Sequence, residues 1–229
     1  MLERRKTPSV PFYFPDWLVL RELSRDIKRA LATYAGGRLL DVGCGEKPYA
    51  AFGSGVSEWV GFDDPSNPVA DAHGRGESMP FPDATFDTVL CTQVIEHVPE
   101  PRDVLGECSR VLRPGGTLIV TAPQYWEVHE APHDYYRYTA IGLRYLLNRC
   151  GLAVIETSLE GTGPKVGAQA LNLSIQHWGE KTLFGKSLAG RAIKVPLYVV
   201  NNISALLLSA IIKSDRDALN LMMVGRKGT

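Results

Sequence analysis

From Arg38 onward the sequence alternates short apolar runs that read as buried strands with stretches that read as helices, and this alternation limits the fold more than any other feature. The runs are RLLDV (38–42), SEWVGF (57–62), a short PVADA (68–72), FDTVLC (86–91), TLIVTA (117–122), LAVIETS (152–158) and LNLMMVGRK (219–227). Helices are expected over 103–112 and from a Thr139 cap to Cys150, with Gly151 as the stop. Pro114-Gly115-Gly116 reads as a turn. Another helix, capped by Asp16 and ending at Gly36-Gly37, places Trp17, Leu20, Ile27, Leu31 and Tyr34 on one face. Strands joined by helical crossovers run parallel, and a parallel sheet needs cover on both faces. The predicted class is therefore α/β, a layered sandwich whose ligands sit beyond the carboxyl ends of the strands.

At 229 residues the chain suits one domain with an embellishment better than two complete ones. Lys plus Arg and Asp plus Glu are 25 each, so no basic excess argues for nucleic acid. Cys44, Cys91, Cys108 and Cys150 show no metal-ligand spacing and read as reduced thiols. The first residues, MLERRKTPSVPFYFPDW, lack the apolar stretch and cleavage site of a signal peptide. A cytoplasmic location is expected, with membrane association left open by one later segment.

LLDVGCG (39–45) places a strand directly before a turn with Gly43 and Gly45, where a backbone without Cβ atoms can approach a ligand. A dinucleotide fingerprint needs a third glycine at 48, and Pro48 stands there, which argues against NAD. Asp63 closes the next strand 22 residues after Asp41 (63 − 41), where a carboxylate can accept two hydrogen bonds from a ribose. Taken in order, LLDVGCG, WVGFD (59–63), VADAH (69–73), MPFPDATFDTVLCTQVIEHV (79–98) and LRPGGTLIVTAP (112–123) resemble the class I S-adenosylmethionine-dependent methyltransferases of the small-molecule type, which include the ubiquinone and menaquinone biosynthesis enzymes. The resemblance covers roughly residues 38–160 and implies a Rossmann-like three-layer sandwich: a mostly parallel seven-stranded sheet with an antiparallel last strand. It also implies S-adenosyl-L-methionine as cofactor, with Asp41, Gly43 and Gly45 at the methionine end and Asp63 on the ribose. Asp71 and Ala72 match the adenine-contacting pair, but extra residues around 74–77 depart from the family spacing, so Glu77, Ser78 and Met79 are alternatives. Gln93 would line the floor beneath the sulfonium, and Glu96 and His97 match the family's Glu-His.

Methyl transfer is an in-line displacement that depends chiefly on positioning, and a hydroxyl acceptor also benefits from a base. QYWEVHEAPHDYYRYT (124–139) concentrates His129, His133, Asp134, Tyr136 and Arg137 after the fifth strand. His133 or His129 is the candidate base, with Tyr136 beside them in the acceptor pocket; a structural cluster is the competing reading. His129-Glu130-Ala131-Pro132-His133 spells H-E-x-x-H, yet Pro132 breaks the helix that a zinc site of this type requires, so no metal is expected there. HEAPHDYYRYT is also similar to a loop of methyltransferases in surface-glycan biosynthesis.

The remaining segment, 162–217, interrupts the pattern and contains 18 uncharged residues, Val195–Ile212. A helix there is apolar nearly all round and belongs in protein or lipid. A single crossing would part the last strand from its sheet, so an acceptor-side cap, a homodimer contact or a membrane-surface contact is expected instead. The chain is thus read as a single domain: an N-terminal helix region (1–37), a cofactor core (38–160), an insertion (162–217) and a last strand (219–227). The function expected is methyl transfer to a small molecule or a sugar- or lipid-linked precursor. Rival readings are a quinone-ring methyltransferase and a non-catalytic cofactor-binding module that recruits a partner through the insertion.

Overall fold

A computed structural model describes residues 10–229, apart from the Phe184 side chain; the leader-peptide reading rests on positions that include 1–9, which lie outside the described residues. Seven strands form one sheet: β1 (Gly37–Val42), β2 (Val56–Asp63), β3 (Ala72–His73), β4 (Phe86–Thr92), β5 (Leu112–Pro123), β6 (Leu152–Glu160) and β7 (Asn220–Lys227). Their order is β3-β2-β1-β4-β5-β7-β6. The pairings β3–β2, β2–β1, β1–β4 and β4–β5 are parallel, and the final strands bring the antiparallel element, as the sequence predicts. Consecutive strands run outward in opposite directions from the β1–β4 pair, which makes the carboxyl ends of these two strands the switch point where α/β folds bind ligands. The central strands are buried on both faces: Leu39, Leu40, Val89, Leu90, Leu118 and Ile119 have no exposed surface.

Helix α1 (Trp17–Tyr34) precedes the sheet, α2 (Pro101–Val111) leads into β5, and α3 (Ala140–Arg149) leads into β6. Thr139 caps α3 by accepting from the Gly142 amide at 3.0 Å. The Pro114-Gly115-Gly116 turn proves to be a bulge inside β5. Phe86 pairs with Leu112 and Thr88 with Thr117, so the ladder loses register there, and Gly115 adopts φ +79.

Where a single domain is expected, the chain divides into two compact units. The first holds Arg25–Ser158 and Leu221–Thr229, and thus most of the sheet. The second joins the lead-in, up to Ser24, to Leu159–Asn220. The expected insertion is the greater part of this second unit, which contains α4 (Pro164–Lys181), α5 (Leu183–Lys186) and α6 (Leu188–Ile211). The helix read over the uncharged run therefore starts seven residues earlier, at Leu188, where the Ser187 hydroxyl caps it at 3.1 Å from the Gly190 amide, and it runs through Pro196.

The asparagines buried in this unit between α4 and α6 are paired. Asn172 of α4 and Asn202 of α6 are fully buried. Asn172 donates to Asn202 and to the Pro15 carbonyl, both at 3.0 Å, and accepts from Asn201 at 2.7 Å. Asn202 in turn donates to the Phe12 carbonyl at 2.9 Å. The asparagines of this apolar helix therefore fix α6 to α4 and to the lead-in. Replacing Asn172 by Leu leaves the Pro15 and Asn202 oxygens without donors and is expected to cost about 2–4 kcal/mol. Urea denaturation should show a lowered midpoint, and hydrogen exchange should accelerate first in α4 and α6.

Candidate active site

The turn after β1 is built by backbone geometry. Gly43 and Gly45 adopt φ +67 and +52, and a Cβ on Gly43 would run into the Val94 side chain. The amides of Gly43 and Cys44 both donate to the Phe62 carbonyl, at 2.8 and 3.3 Å, which ties this turn to the end of β2. Asp63, 7% exposed, closes β2 and holds the turn with its carboxylate. One oxygen accepts from the Gly45 amide at 2.9 Å and from Asn67 at 2.7 Å, and the other accepts from the Asp64 amide at 2.8 Å. Asn67 also donates to the Gly45 carbonyl at 3.0 Å. The sequence reading missed Asn67; its only signal was a side-chain amide four residues beyond an acidic strand end.

The other cofactor candidates occupy the same edge with different freedom. Asp41 is 2% exposed and accepts from the Trp59 indole at 3.1 Å. Burial pushes its carboxyl up to about 7, with the Asp63 charge adding to the effect and Trp59 and Lys47 opposing it. Asp71 is engaged by one oxygen with the Gly61 amide and with the Lys47 ammonium, both at 2.7 Å, and Lys47 holds its carboxyl below the usual range. Lys47, another residue missed from sequence, thus ties Asp71 to the first turn. Ala72 opens β3 opposite Phe62. Met79 is 4% exposed, and its backbone is fixed by Glu107 at 2.7 Å and Arg110 at 3.1 Å. Gln93, just past β4, adopts φ +53 and donates to the Thr121 hydroxyl at 3.1 Å.

On the acceptor side, residues 124–139 contain no helix, so His129 and His133 are not presented one turn apart. Arg137 organises the loop. It forms a bidentate pair with Asp134 at 2.7 and 2.8 Å and donates to the Trp126 and Glu127 carbonyls at 3.1 and 2.6 Å. Arg137 keeps the Asp134 carboxyl far below its ordinary range. The loop is stitched to the segment after β4 by the Tyr135 amide on the Glu96 carbonyl at 2.8 Å and by the Tyr138 hydroxyl on the Ile95 carbonyl at 2.8 Å. Tyr136 donates its hydroxyl to the Pro99 carbonyl at 2.8 Å, which makes it a clamp of the same kind.

The histidines separate into two groups. His133 is exposed, with the Tyr135 hydroxyl 3.2 Å from Nδ1. His129 packs edge-on against His97, ring centroids 4.7 Å apart. His97 Nδ1 lies 2.7 Å from the His133 carbonyl, which requires a proton on Nδ1. Beneath them Glu96 is fully buried, and neither carboxylate oxygen has a hydrogen-bond partner. Burial pushes its carboxyl up to about 8; its own backbone amide and the Arg137 charge oppose this, and the negative charges of Asp134 and Glu130 act with it.

Residues 40–120 match the family model described as a methyltransferase domain. A methyltransferase of Mycobacterium sp. (strain JLS), whose function is uncharacterized, is 41% identical over 148 residues, 59% of this chain and 56% of its own length. The ubiquinone biosynthesis O-methyltransferase of Pseudomonas syringae pv. tomato is 30% identical over 136 residues, 51% of this chain and 55% of its own. The chain thus spans little more than half the length of these relatives. Among solved structures, the [4+2]-cyclase SpnF superposes with a TM-score of 0.61 at 19% identity, over 93% of this chain and 83% of that one, which is a likeness of fold. S-adenosyl-L-methionine fits what the edge presents: bare backbone at Gly43 and Gly45, and a carboxylate fixed by three donors at Asp63.

Asp41 also sets a pH dependence. Its folded-state value lies above the ordinary 3.8, so between about pH 4 and 7 the folded chain keeps a proton that the unfolded chain has lost. Stability therefore falls as pH rises through that window. Asp41→Asn keeps an oxygen for Trp59 and removes the titration. Thermal melts of the ligand-free protein should show the wild type losing up to a few kcal/mol across this window from this source and the variant losing less.

Proposed function

We propose that the class I S-adenosylmethionine-dependent methyltransferase domain carried by this chain moves a methyl group to an oxygen, nitrogen or carbon of a small molecule or of a sugar- or lipid-linked precursor. The observation that carries this reading is the carboxylate of Asp63, locked by Gly45, Asn67 and Asp64 beside the glycine turn at the switch point of the sheet. When bound there, the cofactor supplies a methyl group activated by sulfonium charge. The chain's own work is positional. Asp63 accepts from a vicinal diol, Gly43 and Gly45 give close backbone access, and Gln93 shapes the floor past β4.

Of the two candidate bases, His133 suits proton removal from an acceptor hydroxyl better, because its ring is exposed while His129 is packed against His97. Tyr136 and the Asp134–Arg137 pair hold the loop that carries it. Titration calorimetry should detect binding of S-adenosylhomocysteine, and Asp63→Ala should weaken it at least about tenfold by removing two diol hydrogen bonds. Radiolabelled methyl incorporation across glycan, quinone and amine acceptors should then identify a substrate class. For a hydroxyl acceptor, His133→Ala should lower kcat by about 10²-fold or more while leaving homocysteine-adduct binding intact. Unchanged turnover would remove His133 from the reaction.

A lipid-linked acceptor is favoured by the second compact unit taken alone. Helix α6 is long and apolar enough to cross a membrane, yet its chain continues into β7, which lies between β5 and β6 in the sheet. A surface contact keeps the sheet whole. Val200, Ile203, Leu207, Leu208 and Ile211 are exposed on α6, and from Lys181 to Lys213 the sequence has five cations and no carboxylate. This combination suits the surface of an anionic membrane. The protein should sediment with phosphatidylglycerol-containing vesicles and far less with phosphatidylcholine alone, and Leu207→Glu should reduce binding about tenfold. Resistance to alkaline extraction, or self-association without vesicle binding, would instead indicate a span or a homodimer face.

A further inference from the structure

Three side chains from two separate segments converge on one point with no hydrogen bond among the three of them. Glu96 and His97 follow β4, and His129 comes from the loop after β5. Each offers one ligand-type atom, and the three atoms lie within 4.8 Å of one another. Glu96 contributes a fully buried carboxylate with both oxygens unpartnered. A buried carboxyl group with neither oxygen hydrogen-bonded is costly, and a cation bound beside it would supply the missing compensation.

The histidines are oriented for the same purpose. The His97 Nδ1 proton is held by the His133 carbonyl at 2.7 Å, leaving the Nε2 lone pair turned toward Glu96 at 3.9 Å and toward Glu130 at 4.0 Å. His129 Nδ1 lies 3.2 Å from the Glu127 carbonyl and 3.3 Å from the Asp134 carboxylate, two acceptors that suit a proton on Nδ1, the tautomer that leaves Nε2 free to ligate. A carbonyl or carboxylate behind each ring is how metal-ligating histidines are fixed in tautomer and direction. The Arg137 guanidinium, 3.4 Å from His129 Nδ1, is neutralised by its bidentate Asp134 pair.

The geometry points to a divalent transition-metal site formed by Glu96, His97 and His129, with Glu130 in reach as a fourth ligand. Imidazole nitrogens with carboxylate oxygens select ions such as Zn²⁺, Fe²⁺ or Mn²⁺ over Mg²⁺. Metal–ligand bonds of about 2.0–2.2 Å require the donors to draw in by roughly 1 Å, within the range of side-chain rotation. The site does not use the H-E-x-x-H spacing, since His133 contributes its backbone carbonyl rather than its ring. It stands independently of the methyl-transfer reading, because its first readout is the metal alone.

The full chain, stripped with a chelator and then incubated with Zn²⁺ or Mn²⁺ and desalted, should retain one ion per chain by elemental analysis. Co²⁺ should give visible absorption of a nitrogen- and oxygen-ligated ion. Glu96→Gln and His129→Gln should each weaken binding at least about tenfold, whereas His133→Gln should leave it unchanged. Circular dichroism melts of each variant separate lost binding from lost folding, and the wild-type Co²⁺ spectrum tests the ligands even where a variant does not fold. Failure of the wild type to retain any ion, or equal retention by Glu96→Gln and His129→Gln, would overturn the assignment.

Discussion

The contact between the end of β2 and the turn after β1 is the constraint on which the site depends. Two amides, those of Gly43 and Cys44, share the Phe62 carbonyl, and a third, that of Gly45, donates to the Asp63 carboxylate. Three amides can converge only if the chain turns sharply through left-handed geometry, and the Val94 side chain leaves no room for a Cβ at Gly43. The same geometry delivers both halves of a cofactor cradle, a bare backbone and an acceptor-only carboxylate, at the switch point between β1 and β4. Sheet order and site chemistry are here consequences of one turn.

Much of this was readable from the sequence because it rests on local rules. Alternating apolar runs placed six strands to within a few residues, and the Thr139 cap and the β1 turn followed from single side chains. The losses have physical causes too. Pro114-Gly115-Gly116 carries turn chemistry, but β4 continues past it, so neighbouring pairing absorbs the turn as a bulge. The second compact unit was read as an insertion because its closure is non-local. Asn172 and Asn202 bond to each other and to carbonyls of the lead-in more than 150 residues away in sequence.

The acceptor side shows the limit more sharply. The H-E-x-x-H string drew attention to His129 and His133 as a pair, and Pro132 correctly argued against a helix there. No spacing rule could bring His97 beside His129, since their rings meet only once the loop is fastened by Tyr135 and Tyr138 to the segment after β4. Asp134, Tyr136 and Arg137 look chemically active in the sequence, but their hydrogen bonds make them the fastening. The buried, unpartnered carboxylate of Glu96 is visible only in three dimensions.

The acceptor-side residues carry the functional weight for a further reason. A class I fold supplies the cofactor cradle, yet the same architecture superposes on a [4+2]-cyclase, so the cradle alone does not define a reaction. Under the proposed methyl transfer, the difference between binding and transfer would lie in what residues 96–97 and 124–139 present to an acceptor. They present an exposed imidazole at His133 and a buried carboxyl group at Glu96 flanked by two oriented imidazoles. A purely recruiting module has no need to bury a carboxyl group such as that of Glu96 beside the carboxyl end of β4.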